Sequence, residues 1–136
     1  MLTKKLADHL VIYSPFCGGI REILTSTDYG NLGIAIAVDI KPTTAHFHKT
    51  FDEICFVIDG ELELEFYYPE ADRTWKESLS PNELVVVSKG IHHKVVHASE
   101  HNRLCVVSAP HSTLTTRIRP ARYDEPLTQI GIGRAC

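Results

Sequence analysis

The chain has 136 residues, a formal net charge of −3, 43% apolar residues and 23% charged ones. That is enough chain for one domain with a buried core and too little for two. A mildly acidic balance offers no basic footprint for nucleic acid and no polybasic patch for an anionic membrane.

Residues 1–14 fit either a helical face (Leu2, Leu6, Leu10, Val11) or the start of a strand at 10–13. Their apolar run is broken by Asp8 and His9, so neither a signal peptide nor a membrane span is expected, and the expected compartment is the cytoplasm. Of the four cysteines (Cys17, Cys55, Cys105, Cys136), none forms a C-x-x-C pair and two lie in apolar runs. That pattern reads as reduced thiols. Ser14-Pro15 and Cys17-Gly18-Gly19 mark a loop, and residues 20–26 a short strand closed by the turn-rich 27–31.

Residues 32–40 alternate, with Ile34, Ile36, Val38 and Ile40 on one face and Ala35, Ala37 and Asp39 on the other. Residues 53–58 form a strand apolar on both faces, which implies a covering layer or a partner subunit. Asp59-Gly60 predicts a tight turn. After it Leu62, Leu64, Phe66 and Tyr68 share a face opposite Glu61, Glu63 and Glu65, and residues 75–79 return as the second arm of a hairpin. Strands at 84–87, 91–97 and 104–108 complete the series. Short strands with turn signals between them predict an all-β sandwich or barrel without a required helix. Residues 111–136 read as an irregular tail, suited to packing on a neighbour.

Eight histidines stand out, seven of them between positions 46 and 111. In a strand His46 and His48 point to the same side and can converge on one ion, with Glu53 as a carboxylate partner. The step from His48 to Glu53 is odd, however, so a continuous strand would turn the carboxylate away. A bulge or turn at residues 49–52 is therefore predicted. With that reset Cys55 and Val57 face inward beside Glu53, while Ile54, Phe56 and Ile58 face outward. A fourth donor is available at His92 or His93, of which a strand aims only one inward.

His46-x-His48, four residues, Glu53, six residues and Gly60 resemble the first cupin motif. Pro81-Asn82-Glu83 and Ser88-Lys89-Gly90-Ile91-His92-His93 resemble the second. The resemblance selects His93, three residues after the glycine, and leaves His92 pointing out. It implies a double-stranded β-helix, or jelly-roll barrel, spanning about residues 20–110 of a single domain. One divalent metal (Fe, Mn, Ni, Co, Cu or Zn) would be held by His46, His48, Glu53 and His93. Ile40, Ser88 and His97 stand where the family usually has glycine, proline and asparagine, changes that touch turns and one flanking position but none of the four ligands.

His97 shares strand parity with His93 and is the one general base the sequence offers. The expected function is metal-dependent catalysis on a small polar organic substrate, of oxygenase, lyase, decarboxylase or isomerase type. The alternatives are a non-catalytic cupin binding a metal and a small, sugar-like ligand, or a barrel that a metal only stiffens. A homodimer is expected from the two-sided strand 53–58 and the tail.

Overall fold

The computed structural model describes residues 1–16, 18–110 and 128–130. Its strands are β1 (Ile12–Ser14), β2 (Gly18–Leu24), β3 (Gly33–Val38), β4 (His46–His48), β5 (Phe51–Asp59), β6 (Leu62–Tyr68), β7 (Arg73–Leu79), β8 (Leu84–Val87), β9 (His92–Ala98), β10 (Arg103–Pro110) and β11 (Thr128–Ile130). They form two sheets, ordered β1-β2-β3-β10-β5-β8 and β11-β4-β9-β6-β7. Pairing is antiparallel except between β11 and β4. Short 3-10 turns at Leu6–Asp8 and Pro69–Ala71 are the only helical segments among the described residues. None is long and apolar enough to cross a membrane.

The all-β architecture expected from the strand rhythm is observed, arranged as the jelly roll that the family resemblance implied. Period-two patterning sends Phe51, Glu53, Cys55 and Val57 of β5 inward, facing Leu62, Leu64 and Phe66 of β6. Val57, Leu64, Val87, Val95, Leu104 and Val106 belong to one apolar cluster that draws on both sheets. Tying β6 to its neighbours, Glu63 pairs with Lys76 at 2.9 Å and Glu65 with Lys94 at 3.3 Å.

The structure refines the sequence reading in three places. In β3 the alanines, not the isoleucines, fill the core: Ala35 and Ala37 are fully buried, while Val38 on the other face is 50% exposed. Ala35 lies beside Val106 and Ala37 beside Leu104 on β10, and those larger side chains occupy the room between the sheets. Asp39, with φ of 52°, then breaks the alternation and sends Ile40 back inward. The buried Asn102 holds that reversal, accepting from the Ile40 N–H and donating to its carbonyl, both at 2.9 Å.

Secondly, Asp59-Gly60 turns the chain without making a hairpin. β5 pairs with β10 and β8, and β6 with β7 and β9, so the turn carries the chain from one sheet to the other. Gly60 takes φ of +82°, where a side chain is disfavoured. Thirdly, part of the expected irregular tail is a strand, β11, lying parallel to β4. The rest of that expectation, with Cys17, falls outside the described residues.

The outward residues of β5 are apolar, as the two-sided pattern predicted. Ile54 and Phe56 lie beside Val86 and Leu84 of the edge strand β8, whose side chains are 53% and 55% exposed.

Candidate metal centre

β4 ends at His48 and β5 begins at Phe51, with a bend at Lys49-Thr50 between them. This is the predicted reset of parity, confined to two residues. It leaves His46, His48 and Glu53 all pointing into the barrel and all buried. β9 lies antiparallel to β4 with His46 opposite His93, which brings in the fourth side chain. The loop before β9 is fastened to the β4–β5 corner by its backbone. The Lys89 N–H donates to Asp52 Oδ1 at 2.8 Å, and the Gly90 N–H donates to the His48 carbonyl at 2.7 Å.

One ligating atom from each of His46, His48, Glu53 and His93 lies within 4.8 Å of every other. Metal–nitrogen bonds of about 2.1 Å set trans ligands at most about 4.2 Å apart, so a contraction of roughly half an ångström closes the set on one ion. The imidazoles are already oriented for it. His46 Nδ1 donates to the Thr44 carbonyl at 3.3 Å and His93 Nδ1 to the Ile91 carbonyl at 3.2 Å. With the proton on Nδ1, each ring turns an Nε2 lone pair toward the centre. His46 Nε2 is buried without a hydrogen-bond partner, a costly arrangement that an ion would relieve, and His93 Nε2 faces only the Glu53 carboxylate.

Glu53 Oε2 lies 3.0 Å from His48 Nε2, and Oε1 lies 3.3 Å from His93 Nε2. Burial alone would raise the Glu53 pKa, but the facing His48 and His93 outweigh it and hold the carboxyl well below its usual range. Burial, reinforced by His93, pushes His46 well below the ordinary imidazole value. The side chains therefore rest as a carboxylate facing neutral His46, the ionisation states that metal ligation requires. Cys55 donates its thiol to Glu53 Oε1 at 3.4 Å, and burial beside that carboxylate raises its pKa well above the normal thiol. It packs as a neutral thiol against the site.

Two other histidines of β9, His92 and His97, lie outside this cluster. His92 points away from the centre, as expected, and is packed there on the far side of β9, stacked on Phe47 at 4.7 Å and edge-on to Tyr67 at 5.6 Å. Burial and the neighbouring His93 lower its pKa to about 4. His97, the expected general base, is exposed and lies opposite Glu63 in the strand register, on the outside of the sheet. The β6–β9 register shifts between Glu63 and Leu64, and that irregularity cancels the parity His97 would have shared with His93. Its place in the fold does not support a role at the centre.

A cavity of about 40 Å³ adjoins the ligands, lined by His46, Glu53, His93, Thr43 and Cys55 and otherwise by apolar side chains. Sequence reasoning did not find this wall. Its residues come from strands far apart in the chain and carry no motif.

No family model and no curated protein matches the sequence. Solved structures do. Oxalate decarboxylase of Lactobacillus farciminis, in its formate complex, aligns with a TM-score of 0.64 and 19% identity over 77% of this chain and 31% of its own. The Bacillus subtilis oxalate decarboxylase, in a structure concerned with its Mn(II) centres, aligns at 0.62 and 18% over 79% and 29%. The fold is a jelly roll of the cupin type. CENP-C of Drosophila melanogaster, solved bound to CAL1, aligns at 0.64 and 11% over 79% of this chain and 85% of its own. At these identities the likeness extends to the fold alone. The chain spans less than a third of either decarboxylase chain.

Proposed function

We propose that His46, His48, Glu53 and His93 hold one divalent transition metal and that the protein is a metal-dependent enzyme acting on a small organic molecule. The observation that carries this reading is the buried cluster itself: one ligating atom from each of three imidazoles and one carboxylate lies within 4.8 Å of the others, and His46 Nε2 among them has no hydrogen-bond partner. Four donors leave two positions open on an octahedral ion, and three neutral imidazoles with one carboxylate leave a net charge of about +1. When bound, the metal supplies a Lewis-acid centre that favours an enolate or carboxylate, or with Fe, Mn or Cu an exchangeable electron.

The chain's own contribution is positional. Thr44 and Ile91 fix the two imidazole tautomers, the β4–β5 corner fixes the spacing between β4 and β9, and an apolar wall bounds the reacting end. Oxygenase, lyase, decarboxylase and isomerase chemistry all fit this arrangement. The second reading, a binding module without turnover, is favoured by the absence of a titratable side chain other than the ligands and Cys55 among the described residues of the cavity wall.

The test is elemental analysis of purified protein beside His48→Ala. One transition metal per wild-type chain, lost from the variant, is the expected result. Wild-type protein that retains no metal after equilibration with Mn, Fe, Co or Zn salts overturns the proposal. Turnover by metal-loaded protein then separates enzyme from binding module.

A further inference from the structure

The cavity beside the centre has a chemistry of its own. Beyond the ligands its wall includes Ile20, Ile40, Leu62, Leu64, Leu79 and Val106, and no Lys or Arg side chain lines it among the described residues. Its two other polar side chains are uncharged and each already takes part in a hydrogen bond. The Thr43 hydroxyl accepts from the Val95 N–H at 2.9 Å, and the Cys55 thiol donates to Glu53. A ligand charge placed there would be buried without a partner, which is strongly unfavourable. The cavity volume of about 40 Å³ is small, equivalent to roughly three water molecules at 10–15 Å³ each.

Resting on the metal reading above, we propose that this site takes a compact organic monoanion. It would carry one coordinating oxygen head and an uncharged tail of two or three carbons. The head lies toward His46, Glu53 and His93, where a centre of net charge about +1 matches a single negative charge. The tail lies against the leucine and isoleucine wall, where apolar burial favours it. This narrows the sequence-based expectation of a polar substrate: the polarity is confined to one end. A dicarboxylate, an amino acid with a charged end or a phosphorylated sugar is selected against by the wall.

The experiment uses full-length protein loaded with Co(II), its occupancy checked by elemental analysis. Propionate, butyrate, β-alanine and succinate are titrated in while the cobalt absorption bands and the melting temperature are followed. The four share a carboxylate head. β-Alanine replaces the terminal methyl of butyrate with an ammonium, and succinate replaces it with a second carboxylate.

Propionate or butyrate is expected to shift the cobalt bands and raise Tm at concentrations at least tenfold below those β-alanine and succinate require. Leu79→Ala, which lengthens the cavity, is expected to move the optimum tail toward valerate. Ile40→Val serves the same purpose should Leu79→Ala fail to fold. Succinate or β-alanine binding as tightly as butyrate overturns the ligand assignment, as does a cobalt-loaded protein that responds to none of the four. Both results leave the metal reading standing. Protein that does not hold cobalt overturns the metal reading and the ligand assignment with it.

Discussion

Replacing Gly60 with alanine should destabilise the fold sharply while leaving the metal site intact. At φ of +82° an alanine sits in left-handed backbone space, which costs about 1–2 kcal/mol. An added Cβ would also lie 2.6 Å from Ser99 Oγ and 2.8 Å from Asn102 Cα, and closer still to the His101 carbonyl oxygen. Two of those three atoms are backbone, so the 99–102 loop has to move. That loop holds the start of β6 through two bonds of 2.9 Å, from the Ser99 N–H to the Glu61 carbonyl and from the Glu61 N–H to the Ser99 hydroxyl. At about 1 kcal/mol for each bond lost, the total comes to roughly 3–4 kcal/mol.

Urea unfolding followed by circular dichroism measures this directly. Thermal melts should fall by about 10–15 °C, taking roughly 3–5 °C per kcal/mol for a domain of this size. Gly60 lies seven residues beyond Glu53, about 20 Å along the strand direction, so folded Gly60→Ala protein should bind metal as wild type does. A loss under about 1 kcal/mol would refute the packing argument. A normal loss of stability accompanied by loss of metal would refute the claim that the two ends of β5 are independent.

Asp52→Ala removes the acceptor for the Lys89 N–H and should cost about 1–2 kcal/mol. It should also weaken metal retention about tenfold against a chelator by freeing the loop that carries His93, with Asp52→Asn restoring most of both. His97→Ala should change urea stability by less than about 0.5 kcal/mol, as exposed positions do, and leave metal content unchanged. A large drop in metal-dependent turnover would reinstate His97 at the centre. The apolar outer face of β5 and β8 suits a second copy of the chain, so light scattering should give twice the 15.2 kDa chain mass. The exposed double substitution Leu84→Lys with Val86→Lys should return a folded monomer, and wild-type protein eluting at the single-chain mass would refute the dimer.

The donor set was readable in the sequence because its geometry is local. Parity puts His46 and His48 together, and the odd step to Glu53 forces the bend found at Lys49-Thr50. His93 required more, since adjacent histidines on a strand are equivalent until something fixes the face. What the sequence hid was set by non-local packing. Alternation defines two faces of β3 without saying which is inside, and the bulky β10 neighbours assign the interior to Ala35 and Ala37. A register shift between β6 and β9, invisible in either strand alone, turns His97 outward. Likewise Asp59-Gly60 looks like any hairpin turn, and only the pairing partners of β5 and β6 show that it changes sheets.

The two hydrogen bonds that tie residues 89 and 90 to the β4–β5 corner bear on how such a protein can change. They make the donors a single assembly hung from one stitched corner, although His48 and His93 stand 45 positions apart in the chain. Much of the cavity wall hangs from elsewhere, on β2, β6, β7 and β10. On the proposed reading, substitutions there would alter what the chamber admits without disturbing the four donors. Anchor and chamber would then be separately adjustable, and a lineage holding a metal here could keep it while trading one ligand for another.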